Sequence, residues 1–299
     1  MGRYWPMLLL LASMWGASYL FIKLAVEDIP PAAMTDFRLT IAAVLLTAYL
    51  AAREGARPAL AALRAAWVPC LVLGIVNAAL PMTLVAWGET HIDSSIAGIA
   101  QASVPIFVAI LGFRFLPHEP LGASRVAGLA IGISGVALIT GVHPDAGAWA
   151  VAGTFAVVLS SLSYATGGVY GQLRVHHTAG PVLAAGSMIA GAIVLLPFTV
   201  ADPPTQAPGA TAVAGLLALA LVPTFLGQLL LFRMLRLFGS RRMSLVTFLM
   251  PGFAVVYGTV LLDEPVNAVA LGGLALILVG VVLASGQRLL GVRVQGEPA

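Results

Sequence analysis

Trp15, Tyr19 and Lys23 are spaced by four residues and share one face of an apolar run, with Ser18 beside them. An indole N–H, a phenol, a hydroxyl and an ammonium in such a setting can bind a small solute. The same spacing also fits packing aromatics, with Lys23 snorkelling or pairing with Glu27, Asp36 or a helix end. Other apolar runs are broken by Asn77, by Gln101 and Ser103, by Ser160, Ser163 and Tyr164, by Thr224 and Gln228, and by Thr247 and Tyr257. In lipid, each such group either faces a polar cavity or makes an interhelical hydrogen bond, worth about 0.6–2 kcal/mol. The candidate solute-binding set is Trp15, Ser18, Tyr19, Asn77, Gln101, Ser103, Ser163, Tyr164, Thr224, Gln228 and Thr247. Pro81, Pro105, Pro223 and Pro251 are the candidate gating residues, because proline removes an intrahelical bond and frees a carbonyl. Arg38 and Asp36 are two apart, cannot face each other on a helix, and read as separate structural pairs near a surface.

Bond-making chemistry finds little support. Lys23 is the only lysine, so there is no phosphate-binding P-loop. No zinc-binding motif occurs, and His176 and His177 are adjacent in a loop. No Ser/His/Asp or paired-carboxylate pattern stands out, and no cofactor, metal or enzymatic activity is expected. Cys70 is the single cysteine, so no intrachain disulfide can form.

These side chains sit on elements made for lipid. Of 299 residues, 60% are hydrophobic and only 9% charged, against about 25% charged in soluble proteins. The net charge of +3 does not mark a nucleic-acid binder, because the arginines lie between apolar runs. Ten stretches approach the ~20 apolar residues a span requires: near 6–25, 33–52, 67–87, 95–115, 122–141, 149–171, 182–201, 210–232, 243–262 and 266–286. The first is too long, and too rich in Trp15, Tyr19 and Lys23, for a cleaved signal segment. With ten spans and cytoplasmic termini, every basic residue except Lys23 and Arg38 falls on the cytoplasmic side. Glu27, Asp28, Glu89, Asp93, Asp145, Asp202, Asp263 and Glu264 fall on the other.

The chain repeats itself. Pro105 to Gly141 and Pro251 to Gly286 each hold an apolar run, an acid-proline pair (Glu119-Pro120, Glu264-Pro265) and a Gly-rich run. Gly128, Gly135 and Gly141 recur as Gly273, Gly280 and Gly286. Trp15 falls near Tyr164, Pro31 against Pro181 and Leu80 against Leu226. The offset spans five segments, an odd number, so the second copy enters the membrane upside down. The expected fold is an all-α membrane protein of ten transmembrane helices in two inverted five-helix repeats, 1–144 and 145–299. Inverted repeats recur in secondary transporters, with the solute near the midplane between the halves.

Trp15-Gly16, Tyr19 and Lys23 in the first span, Arg38 in the second, the Pro105 and Pro251 spans and both acid-proline pairs resemble one family. It is the EamA family of the drug/metabolite transporter superfamily, ten-helix carriers of two tandem repeats. The resemblance implies a multi-pass protein of the bacterial inner membrane that moves small organic solutes by alternating access. Export of amino acids, metabolites or amphipathic toxic compounds is the expectation it carries. Uptake of a metabolite or nucleotide sugar is the second reading. An intramembrane enzyme or structural membrane protein is the third, and would need a polar catalytic cluster at one interface. The expected partners are a small-molecule substrate and the lipid bilayer, with no nucleic acid; substrate, direction, coupling ion and oligomeric state stay open.

Overall fold

The computed structural model describes residues 3–115, 123–140, 147–175, 177–239, 245–265 and 267–285. Every regular element among them is helical. In chain order they are α1 (Tyr4–Val26), α2 (Pro31–Glu54), α3 (Ala56–Ala65), α4 (Trp67–Glu89), α5 (Ser94–Phe115) and α6 (Ala123–Thr140). There follow α7 (Gly147–Arg174), α8 (Gly180–Ala201), α9 (Ala210–Phe238), α10 (Val246–Leu261) and α11 (Ala268–Ser285).

Seven of these, α1, α2, α4, α5, α7, α8 and α9, are long and apolar enough to cross a membrane; α6, α10 and α11 carry shorter apolar runs. Val44, Trp67, Phe155, Ile193, Val200 and Val260 are exposed on the outside, which suits contact with lipid tails rather than water. Helix boundaries follow sequence punctuation: α2 begins at Pro31, whose missing N–H costs nothing in a first turn. One expected loop is a helix. The segment after Gly55, which turns the corner with φ of +91°, forms α3, of which only Ala59 is buried. Glu119 and Pro120 lie outside the described residues.

Small residues let the helices approach closely. Gly135 of α6 packs on Gly273 and Ile277 of α11, and Gly280 of α11 packs on Gly128 and Gly132 of α6. Ser124 at the start of α6 donates to the Leu283 carbonyl near the end of α11. The two helices are therefore antiparallel. Elsewhere α1 packs on α9 and α10, while α7 packs on α4 and α5; α2 lies on α8, and α5 on α10.

Three of these helices are not regular. Ile75–Ala79 in α4 and Ala220–Leu226 in α9 are π-helical, and α5 is interrupted by a turn at Ala102 and Ser103. Each break lies beside or around one of the prolines singled out above: Pro81, Pro223 and Pro105. Pro251 lies inside α10.

The α6–α11 seam gives a direct test. A side chain at Gly280 would collide with backbone of α6, whereas Gly272 meets nothing closer than ordinary contact. Gly280→Ala is expected to cost about 1–3 kcal/mol, read as a lower melting temperature of the purified protein. Gly272→Ala is expected to be neutral or slightly stabilising.

Candidate functional site

The π-helical turns place unpaired backbone groups in the middle of the bundle. In a π turn the carbonyl of Val76 would accept from residue 81, but that residue is proline and has no N–H. Ser163 of α7 supplies the donor instead, with its Oγ 2.7 Å from the Val76 oxygen. In α9, Pro223 deprives the Leu219 carbonyl of its usual partner, and Thr224 Oγ1 donates to it at 2.7 Å. Trp15 Nε1 of α1 donates to the Pro223 carbonyl at 3.2 Å. Thus α7 braces the break in α4, and α1 braces the break in α9. Asn77, in the first π turn, lies over Gly167 of α7, where any side chain would displace it.

Around these breaks lies a buried polar layer. Arg38 is buried, contrary to the surface pairing expected of it; α2 carries it inward, where its Nε donates to Thr224 Oγ1 at 2.8 Å. Among the described residues no carboxylate lies within ion-pair range of it. Its strongest electrostatic neighbours are Tyr164, Tyr19 and Glu89. Asp36 is occupied separately, accepting from Thr199 Oγ1 at 2.8 Å. Gln101 accepts from Ser160 Oγ at 2.9 Å, while its amide nitrogen is buried without a partner among the described residues. Ser103 is buried, and its hydroxyl donates to Ala100 at the break in α5. Ser18, Gln228 and Thr247 are partly buried on α1, α9 and α10. The structure thus gathers Tyr19, Tyr164, Thr224 and Arg38 around one region, flanked by Trp15, Asn77, Ser163 and Gln101.

The two ends of the bundle differ. At the end rich in acids, Glu264 joins the loop after α10 to the start of α5. Its carboxylate accepts from the Ser94 N–H at 2.7 Å, the Ser95 N–H at 2.9 Å and the Ser95 hydroxyl. Anionic acceptors are favoured at a helix N-terminus. Asp263, with φ of 55°, makes the turn that aims Glu264, a conformation aspartate tolerates better than most residues. A methyl at Gly258 would strike both Glu264 and Ser95, so glycine leaves the space for this contact. Asp28 accepts from the Gly209 N–H at 2.7 Å, and His91 stacks on Trp149. Lys23 donates to the carbonyls of Glu89 and Ile92 at 2.8 and 2.9 Å, which is one of the helix-end pairings open to it from the sequence. Glu89, placed by its sequence among the surface acids, is fully buried. A lone acid at the end of an apolar run is compatible with either place, and nothing in its spacing marks it as interior.

At the opposite end a cavity of about 1070 Å³ lies among the ends of α1, α2, α8 and α9, with Arg3, Tyr49, Arg53, Phe232, Arg233 and Arg236 among its walls.

The bundle thus holds a buried polar layer between braced helix breaks, with a carboxylate contact at one end and an arginine-walled cavity at the other. The family model for EamA, described as the EamA-like transporter family, matches residues 3–141 and again 151–286. The chain belongs to the EamA-like transporter family. The two matches are tandem repeats that take in almost all of the described helices. Among relatives of this EamA chain, the inner membrane transporter YedA of Escherichia coli K12 is 29% identical over 91% of the chain and 87% of its own length. A protein of Streptantibioticus cattleyicolor named a probable terminal-alkyne amino-acid exporter is 31% identical, covering 97% and 95%. A probable amino-acid metabolite efflux pump of Salmonella typhimurium is 25% identical, covering 91% of each. A solved crystal structure superposes with a TM-score of 0.65 at 19% identity, over 93% of this chain and 95% of that one, and shares the fold. This EamA protein is a multi-pass membrane transporter of small solutes.

The Glu264 contact can be measured by a double-mutant cycle. Glu264→Ala is expected to destabilise the protein by about 2–3 kcal/mol, because hydrogen bonds to a charge are lost. Ser95→Ala is expected to cost about 1 kcal/mol. Their combination is expected to fall short of the sum, since the residues share one contact. Thermal unfolding in detergent reads all three.

Proposed function

We propose that this protein exports small organic solutes, amino acids or related metabolites among them, across the inner membrane by alternating access. The observation that carries the reading is the contrast between the two ends: Glu264 bonded across to α5 at one, an arginine-walled cavity at the other. In this reading the termini and the open cavity face the cytoplasm, so the structure is an inward-open state. The arginines at that end and the acids at the other support the orientation. Ten spans make two inverted halves, 1–144 and 145–299.

Three observations support the inversion. Repeat matching equates Gly128 with Gly273 and Gly135 with Gly280. Exchanging the halves then turns the Gly135–Gly273 contact into the Gly280–Gly128 contact, and both occur. Equivalent helices α6 and α11 run antiparallel, and the α4 and α9 π turns fall at matching places, each braced from the other half.

The solute is read as binding between the halves, against Trp15, Ser18, Tyr19, Asn77, Gln101, Ser103, Ser163, Tyr164, Thr224, Gln228 and Thr247. Arg38 joins them as a buried cation able to receive a carboxylate. Gln101 adds an amide donor with no protein partner among the described residues. Pro81, Pro105, Pro223 and Pro251 mark the helices that bend as one end closes and the other opens. The Streptantibioticus and Salmonella relatives, both named for amino-acid export, support the direction and the solute class.

Purified protein in liposomes, offered a panel of radiolabelled amino acids and metabolites, tests this. The parent is expected to exchange at least one carboxylate-bearing solute. Arg38→Gln is expected to lower that exchange at least about tenfold, the size of one lost charged contact, and Gln101→Leu to lower it less. Exchange at the parental rate in both variants would place the solute elsewhere.

A further inference from the structure

Glu89 is not among the residues assigned to the solute, yet its setting is a costly one for a carboxylate. It is fully buried, and neither carboxylate oxygen has a hydrogen-bond donor among the described residues. An ionised carboxylate stripped of water and donors is strongly disfavoured. The titratable and charged groups around it are Lys23 and Tyr19 from α1, Arg38 from α2 and Glu264 from the loop after α10. His91 and Asp93 follow it in the chain, and His91 Nδ1 is taken up by Thr90 and the Trp87 carbonyl. Lys23 attracts it through space but gives it no hydrogen bond: the ammonium donates to the backbone carbonyls of Glu89 and Ile92. Glu264, by contrast, is held by three donors of its own, the N–H groups of Ser94 and Ser95 and the Ser95 hydroxyl. Arg38 lies near as well, but its Nε is given to Thr224 and no donor of either cation reaches the Glu89 carboxylate.

Glu89 therefore sits buried at the acidic end, near the Glu264 contact that joins the two halves. We propose that Glu89 is a proton-operated switch of this seal, which closes around a neutral carboxyl and opens onto an ionised one. On closing, the Glu89 carboxylate takes one proton from the solution at the acidic end. On opening, water reaches the carboxyl and the same proton returns to it. Protonation thus favours the sealed state, and acid at that face holds the carrier open at its arginine-rich end. The proposal rests on reading the acidic end as a gate.

The test uses two readouts that need no transported solute. In a Cys70→Ala background, a cysteine at Ser18 is labelled from the acidic-end face by an impermeant thiol reagent, with and without Glu89→Gln. Dividing the parent's rate by the variant's cancels the thiol's own ionisation. That ratio is expected to rise about tenfold from about pH 6 to about pH 8.5, because only the parent can ionise the position and open. Thermal unfolding gives the second readout. The folded parent holds a proton at Glu89 that its unfolded chain releases as pH rises, so its stability falls with pH. Glu89→Gln is expected to melt above the parent at alkaline pH, with the gap closing as pH is lowered. A labelling ratio that does not move with pH, or a melting gap that is constant or reversed, would overturn the switch. If the parent exchanges no solute, the transport reading fails and these two readouts still decide the switch.

Discussion

A backbone group in lipid has no water to fall back on, and the two π-helical turns have been denied part of their own helix. Proline at 81 and at 223 removes donors from α4 and α9 in the middle of the bundle. The carbonyls left over are met from outside those helices or by local hydroxyls: Ser163 on Val76, Trp15 on Pro223, Thr224 on Leu219. Because the outside donors belong to α7 and α1, each repeat completes the other. The same breaks put Thr224 on Arg38 and Asn77 against Gly167 of α7, so gaps in backbone bonding coincide with buried polar groups. Breaks of this kind are tolerated at membrane depth where protein or a water-filled cavity covers them.

In the proposed cycle the frame and the moving parts are built from different residues. Along α6 and α11, glycine meets glycine and backbone nearly touches backbone, a contact with little room to slide. At the acidic end the halves meet through polar and aromatic contacts, Glu264 with Ser94 and Ser95, Asp28 with Gly209, His91 with Trp149. Such contacts can be exchanged for water with modest net loss. At the arginine-rich end the corresponding space is a cavity. In the proposed cycle the seam persists while the polar contacts at one end are traded for equivalent closure at the other.

Much of the fold was legible because lipid imposes a coarse and strict pattern. Apolar length and proline punctuation placed the helices within a few residues, from Pro31 opening α2 to the α8 start at Gly180. The α3 helix was missed, since ten residues with Arg57 and Arg64 read equally well as a charged loop. The π turns carry no sequence signature of their own: proline announces a break but not whether the helix widens or ends. The polar layer was legible as a set of residue types and not as a set of contacts. Arg38 and Glu89 were assigned to surfaces because hydropathy locates a charge along the membrane normal only to within a turn or two. Their burial follows from which way the helix faces, as where Gly88 packs on Gly153 of α7 and Leu39 on Gly191 of α8.

The central claim is that the contact between Glu264 and the start of α5 is a gate that opens in every cycle. The most direct measurement places cysteines at Ser95 and Glu264 in a Cys70→Ala background and joins them with a short bifunctional thiol reagent. Solute exchange in liposomes is then followed before joining, after joining and after cleavage of the bridge. The account predicts that exchange stops when the bridge forms and returns when it is cut. Exchange that continues at the same rate across an intact bridge would contradict it.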